Sequence, residues 1–309
     1  VGASGSLELS TLTGPNGFVV RGIDQQDWCG LAVSGAGDIN ADGIDDLVIA
    51  APAAHPNGTP AAGETYVVFG GPSIGSSGVL NPAALNGSDG FALFGIDAID
   101  LSGRAVSGAG DVNGDGIDDL IIGAPYADPN GQFSAGETYV VFGADPAVDG
   151  PFAASIDLST LNGANGFVLN GINESDQSGW SVSGAGDVNA DGIDDVLIGA
   201  RNGDPNGHVD AGESYVVFGG PAVGGTGSLE LSSLNGVNGF VLNGKNAGDR
   251  CGIAVSRAGD VNGDGVDDIV IGARYADPNA YTGAGEGYFF FVNDTSIAGP
   301  LAASLELYT

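Results

Sequence analysis

Lysine and arginine together number seven in 309 residues, against 39 Asp and Glu, and the formal net charge is −32. So acidic a chain repels phosphate backbones, which excludes nucleic acid as a partner. Histidine is almost missing: His55 and His208 stand alone, neither with a repeated nucleophile beside it. No G-x-S-x-G elbow, zinc signature or phosphate loop occurs, so the sequence offers no catalytic residues and reads as a non-enzyme. No apolar run approaches the ~20 residues of a membrane helix, which excludes membrane insertion by a helix. Methionine is absent and no signal peptide is visible, so the chain reads as a mature or excised segment of a longer precursor.

What is abundant is glycine, with 57 residues, set in a chain that is 42% hydrophobic. That much apolar material supports a core, and the glycines fall at fixed places in a repeat, which marks turns rather than disorder. The clearest repeated element is a nine-residue loop: DINADGIDD (38–46), DVNGDGIDD (111–119), DVNADGIDD (187–195) and DVNGDGVDD (260–268). Their first Asp residues are 73, 76 and 73 positions apart. Around each loop the same segments return in order: GFVLNG-like, AVSGAG-like, the loop, an apolar run such as DLIIGAPYAD, AGETYVVFG-like, and a linker such as SLELSSLNG. The whole chain, 1–309, therefore reads as one domain of four repeats, about 17–89, 90–165, 166–238 and 239–309.

The apolar runs are rich in β-branched and aromatic residues, and helix signals are nearly absent. Four strands per repeat are expected. Strand A is AVSGAG, strand B the run after the loop, strand C TYVVFG and strand D GFVLNG. Strand B is apolar at nearly every position, so both of its faces are expected to be buried. A single antiparallel sheet cannot do that alone, but sheets stacked around an axis can. The expected fold is thus all-β: a β-propeller of four four-stranded antiparallel blades. The N-terminus supplies a D strand (17–22) and the C-terminus ends without one, so the N-terminal strand is expected to complete the last blade.

Cys29 and Cys251 hold the same place in repeats one and four, where the other repeats have Ser102 and Ser178. In a closed ring those repeats are neighbours. The pair is then either a disulfide that staples first blade to last, adding about 4–5 kcal/mol in the chain-entropy model, or two small buried thiols. SLELST (6–11) and SLELYT (304–309) are copies of one linker, so the ends overlap by one element. Either one copy lies outside the ring, or the chain is cut from a longer array, or the spare copy pairs with a neighbour by strand addition, a route to self-association.

Each nine-residue loop places oxygen-bearing side chains at positions 1, 3, 5 and 9, with Gly at 6, which is how a short loop wraps a hard cation such as Ca²⁺. An EF-hand would need Glu at position 12, but Ile49, Ile122, Ile198 and Ile271 stand there, inside strand B. Four divalent ions would cancel a quarter of the net charge. The Asp at position 8 (Asp45, Asp118, Asp194, Asp267) reads as pointing outward.

GAGDVNGDGIDDLIIGAP (108–125) followed by GETYVVFG resembles the FG-GAP repeat, found in integrin α-subunit propellers and bacterial surface proteins. Loop, GAP and YVVFG occur in order four times, although GAP becomes AAP in repeat one and GAR in repeats three and four. Integrin propellers have seven blades of shorter repeats, whereas this chain has four longer ones. The resemblance implies Ca²⁺ in the A–B loops, four sites in all. By position, the ligands are Asp38, Asn40, Asp42, the Ile44 carbonyl and Asp46; Asp111, Asn113, Asp115, the Ile117 carbonyl and Asp119; Asp187, Asn189, Asp191, the Ile193 carbonyl and Asp195; and Asp260, Asn262, Asp264, the Val266 carbonyl and Asp268. It also implies an extracellular or cell-surface adhesion or recognition module with a protein or glycan ligand. The alternatives are an architectural segment of a large surface protein or filament, or a non-catalytic propeller attached to an enzyme.

A second acidic set repeats in every unit: Asp27, Asp100, Asp176 and Asp249 before strand A, and Glu64, Glu137, Glu213 and Glu286 opening strand C. Its regularity points to turn capping or blade contacts. The B–C loops vary most, and variable loops on a repeated scaffold are where specificity sits. Tyr126, Arg201, His208, Arg274, Tyr275 and Tyr281 lie in or beside them.

Overall fold

The computed structural model describes residues 8–292 and 302–307. Residues 6–7 and 308–309 of the two linker copies lie outside that range. Among the described residues there is no α-helix, only single 3₁₀ turns between strands. The strands follow one cycle. It starts with β1 (Val19–Val20), β2 (Ala32–Gly37), β3 (Asp46–Ala51), β4 (Glu64–Val68) and β5 (Val79–Leu80). It repeats as β6 (Gly90–Phe94), β7 (Ala105–Gly110), β8 (Asp119–Ala124), β9 (Glu137–Val141) and β10 (Ser155–Asp157). The third round is β11 (Gly166–Asn170), β12 (Ser178–Gly186), β13 (Asp195–Ala200), β14 (Glu213–Val217) and β15 (Ser228–Glu230). The last is β16 (Gly239–Asn243), β17 (Cys251–Gly259), β18 (Asp268–Ala273), β19 (Glu286–Phe290) and β20 (Ser304–Glu306).

Each sheet takes A, B and C strands from one repeat and D from the next, all antiparallel. Blades one to three are β2-β3-β4-β6-β10, β7-β8-β9-β11-β15 and β12-β13-β14-β16-β20. They have five strands rather than the expected four. The fifth is the linker, which returns parallel to the D strand of its own repeat, as in Ile156↔Leu93 and Leu229↔Leu169. The linker is too short and too polar to announce a strand by alternation, and pairing with D supplies what periodicity does not. The C-terminal SLELYT copy is accounted for in this way: β20 is the fifth strand of blade three.

The two ends are half-blades. β17-β18-β19 is a three-stranded sheet, and β1-β5 is a separate parallel pair. The N-terminal strand therefore pairs with its own linker rather than with the last blade, and among the described residues the sheets do not close into a ring. Cys29 and Cys251 are both free thiols, Cys29 half-buried and Cys251 within the core. Burial pushes the Cys251 thiol up to about 12.

The core lies between blades. All six residues of β8 and of β13 are buried, as a doubly covered B strand requires. Period-two alternation sends Leu120 and Ile122 against Val48, Val67 and Phe91 of blade one. Ile121 faces the other way, toward Val196, Ile198 and Tyr215 of blade three. In every repeat the C-strand tyrosine, buried in the first three and half-buried at Tyr288, donates its hydroxyl proton to the glutamate two residues earlier, as in Tyr66–Glu64 (2.6 Å), Tyr139–Glu137 (2.5 Å), Tyr215–Glu213 and Tyr288–Glu286 (2.5 Å). This explains the repeated Glu structurally: it satisfies a phenol that burial would otherwise leave unpaired. The repeated Asp before strand A caps its turn, with Asn173 Nδ2 donating to Asp176 and Asn246 Nδ2 to Asp249, each at 3.0 Å.

Candidate functional site

All four nine-residue loops join an inner strand to its B strand, so they gather at one end of the blades. Within each, the side chains fold back onto the loop's own backbone. Asp111 accepts from the N–H groups of Gly114 (2.7 Å), Asp115 (3.0 Å) and Gly116 (2.8 Å). Asn113 Oδ1 accepts from Asp115 N (2.8 Å), and Asp115 Oδ1 from Ile117 N (2.9 Å). Asp260 with Asn262 repeats these contacts, and Asp38 with Asn40 and Asp187 with Asn189 repeat those from positions 5 and 6. Gly116 at φ +89° makes the turn, and its counterparts Gly43, Gly192 and Gly265 lie at φ +84°, +90° and +91°.

The position-9 aspartates have a second task that the sequence does not announce. Asp46, Asp119, Asp195 and Asp268 are fully buried. Each accepts from loop position 2 and from the residue two beyond the end of strand C: Asp119 from Val112 N at 2.8 Å and Gly143 N at 2.9 Å. They pin the loop to the far corner of the blade. Burial pushes Asp46 up to about 6 and Asp119 up to about 8, with the other loop carboxylates adding to the rise and the backbone donors opposing it. Asp195 is raised well above the usual carboxylate range for the same reasons.

Position 8 corrects the sequence reading. Rather than pointing outward, Asp118, Asp194 and Asp267 each reach the preceding blade, while Asp45, on the uncovered face of blade one, is exposed. Asp118 Oδ2 accepts from Asp38 N (2.8 Å), Asp194 from Asp111 N (3.0 Å) and Asp267 from Asp187 N (3.1 Å). The carboxylate occupies the space a side chain would need at the glycine before the loop. A Cβ on Gly110 would fall 2.2 Å from Asp194 Oδ2. Glycine ends the A strands of blades one to three because the neighbour's aspartate is there.

The donor set of each loop, carboxylate, amide and carbonyl oxygen, has the chemistry of a hard-cation site, and every side chain keeps lone pairs beyond those its backbone donors use. Among the described residues, however, no group of three or more His, Cys, Asp or Glu side chains is drawn together into a metal cage.

At the other end of the blades lie the B–C loops. Their sequences differ but their turns agree: each has a 3₁₀ turn with Asn57, Asn130, Asn206 or Asn279 near φ +52° to +55°. Asp128, Asp204 and Asp277 close them by accepting from Ser134, Asp210 and Gly283 N–H groups at 2.6–2.7 Å. Of the residues singled out there, Tyr126 and Arg201 meet around Trp180, and Arg274 meets Tyr275. His208 and Tyr281 stay exposed on their loops. Trp180, Arg104 and Arg250 were missed. Their signal was that they break the repeat: the place of Trp180 is Leu31, Arg104 and Ile253 elsewhere.

The FG-GAP repeat family model matches residues 30–68, 102–141, 178–217 and 252–290, just over half of the chain. The chain belongs to the FG-GAP repeat family. Each match runs from the start of an inner strand through the loop to the end of strand C, so the three inner strands of each blade carry the motif. Among curated proteins, integrin alpha pat-2 of Caenorhabditis elegans is 31% identical over 67% of this chain and 15% of its own length. Integrin alpha-PS2 of Drosophila melanogaster is 31% identical over 62% of the chain and 12% of its own length. Phosphatidylinositol-glycan-specific phospholipase D of Bos taurus is 31% identical over 54% of the chain and 18% of its own length. The chain thus spans less than a fifth of these relatives. No helix among the described residues is long and apolar enough to cross a membrane.

Proposed function

We propose that the chain is an extracellular or cell-surface recognition module, a β-propeller that presents variable loops to a protein or glycan ligand in adhesion. The observation that carries this is the pairing of a repeated, rigidly turned scaffold with B–C loops whose side chains differ from blade to blade. The similarity to integrin alpha subunits supports it. An array of surface proteins and glycans tests it: a saturable hit lost on exchanging B–C loop residues supports recognition, and no hit at any ligand would leave an architectural role. A non-catalytic propeller attached to an enzyme is the second reading, favoured by the similarity to a phospholipase D.

The four loops would hold Ca²⁺ through the side chains at positions 1, 3, 5 and 9 and the carbonyls of Ile44, Ile117, Ile193 and Val266. The ion supplies positive charge among carboxylates, and the chain's own contribution is the backbone N–H cradle that aims them.

Closure of the ring belongs with this reading. β1-β5 has the makeup of an outer half-blade, and β17-β18-β19 that of an inner one. In blade one Phe91 pairs with Val67 and Ala92 with Tyr66; by repeat, Phe18 would face Phe289 and Val19 would face Tyr288. Joined within one chain, the halves make a fourth blade, and a Cys29–Cys251 disulfide would staple it. Joined between copies, they give self-association. Sedimentation distinguishes the two, and mass change on alkylation with and without reductant reports the staple.

A further inference from the structure

Four of the chain's seven basic residues collect at the B–C loop end of blades two to four. The Arg104 guanidinium lies 4.2 Å from the Trp180 ring centroid and that of Arg201 only 3.1 Å, with Tyr126 edge-on at 6.5 Å. Arg250 and Arg274 face Tyr275 at 5.4 and 4.7 Å. A bulge places Trp180: pairing between β12 and β13 jumps from Ser178↔Ala200 to Ser181↔Gly199, and the extra residues turn the indole out at the strand's start.

A purely structural role does not account for this group. At equivalent places the other blades fold with Leu31 or Ile253 for Trp180, and with Pro52 or Pro125 for Arg201 and Arg274. Nor is the charge balanced. Arg250 reaches Asp210 at 3.7 Å, but among the described residues Arg104, Arg201 and Arg274 make no ion pair. Burial, and then the Arg250 and Arg104 guanidiniums nearby, pull Arg201 below the usual arginine range. Aromatic faces hold guanidinium planes while leaving their N–H edges to donate. Gln177 takes only the Arg201 Nε, at 2.9 Å.

We infer that Arg104 and Arg201 on the Trp180 ring, with the charge of Arg250 beside Arg201, form a carboxylate-binding site that takes an acidic side chain of a protein ligand. Guanidinium forks match a carboxylate in two parallel hydrogen bonds. The surrounding charge selects against other anions. A chain of net charge −32 repels a long polyanion along most of its surface, while a single acidic side chain on an otherwise neutral segment meets only the basic cluster. The inference rests on the recognition reading and specifies its ligand.

The test uses Trp28→Phe protein, in which Trp180 is the remaining tryptophan. Its fluorescence is titrated at low salt with acetyl-Gly-Glu-Gly-Glu-Gly-amide, with the Gln counterpart of that peptide, and with acetate. The acidic peptide should saturate below about 1 mM, at least tenfold tighter than either comparison ligand. Arg201→Gln should lose tenfold or more, and Arg201→Lys nearly as much, because it keeps charge without the fork. Arg104→Gln repeats the test should Arg201 variants fail to fold. Lys245→Gln should change nothing. Equal binding of acidic and Gln peptides, acetate as tight as the peptide, or unaltered binding by Arg201→Gln and Arg104→Gln would each overturn it. An array ligand whose binding survives both substitutions would sink this site and leave recognition standing. Peptide binding without any array ligand would do the reverse.

Discussion

The junction between blades two and three and the outer face of blade four are made from the same repeat, yet only one is finished. At the junction Asp194 closes over Asp111 N–H and leaves no room for a Cβ at Gly110. At the end of blade four nothing lies within 4 Å of the same position on Gly259, and among the described residues Asp260 N–H has no such acceptor. Its counterpart at the opposite end, Asp45, is exposed. The apolar faces tell the same story: Val106 is 8% exposed but Val33 65%, and Val216 is 0% exposed but Phe289 61%. A repeat thus specifies half of each interface, and its stability depends on a neighbour that supplies the other half.

Chelation should have the largest effect. If each loop holds calcium, saturation at a hundredfold excess over Kd contributes about 2.7 kcal/mol per site, so excess EDTA should lower the melting temperature sharply. Hydrogen exchange should then separate the regions, with amides of 260–268 opening before those of 111–119, where a neighbour's carboxylate still holds the loop. An unchanged melt in EDTA would remove the calcium reading. Next in size is a pair of glycine substitutions. Gly110→Ala drives a methyl into Asp194 and should cost about 3 kcal/mol or more. Gly259→Ala, at φ +72° but in open space, should cost only about 1 kcal/mol for the left-handed backbone. Equal losses in urea unfolding would mean that Asp45 closes over Asp260 and the ring is shut in solution.

Much of this was readable in advance, for identifiable reasons. Strand B is apolar at successive positions because both neighbours cover it, and burial on two faces leaves a continuous signal. The loops were equally plain, since ion-type spacing survives in a single line of sequence. The fifth strand was not: Ser155–Asp157 and Ser228–Glu230 are short and half-polar, and they become strands only because β6 and β11 present a free edge. Position 8 was misread because its partner, the N–H of Asp38, Asp111 or Asp187, lies in the previous repeat, 80 to 83 residues away. The Arg–Trp cluster was half visible. Arg201 and Arg274 stood out against the GAP motif, while Trp180 sits on the strand beside Arg201 and Arg104 lies on blade two, and they meet only once the sheets form and pack.

The aspartate clasp gives a smaller, two-sided test. Asp118→Ala removes a charged acceptor from a half-buried backbone donor and should cost about 2 kcal/mol. Asp45→Ala, at the uncovered face, should stay within about 0.5 kcal/mol. A loss at Asp45 equal to that at Asp118 would again point to a closed ring.

The smallest effect should come from Asp100 and Asp176, the turn aspartates of blades two and three. Burial, then the nearby carboxylates of Glu137 for Asp100 and Glu213 for Asp176, push both up to about 7. In the unfolded chain each releases its proton near pH 4. Between about pH 4 and 7 the folded state therefore binds protons that the unfolded state has lost, and stability falls as pH rises through that window. Above it both states are ionised and the penalty is fully present. Asp100→Asn and Asp176→Asn keep an oxygen acceptor without the charge, so each should stabilise the protein by about 1 kcal/mol at pH 8 and leave it unchanged at pH 4. Thermal melts from pH 4 to 8 should be flatter in the double variant than in the parent. A double variant less stable at pH 8 would mean instead that the ionised carboxylates hold the turns between the middle blades.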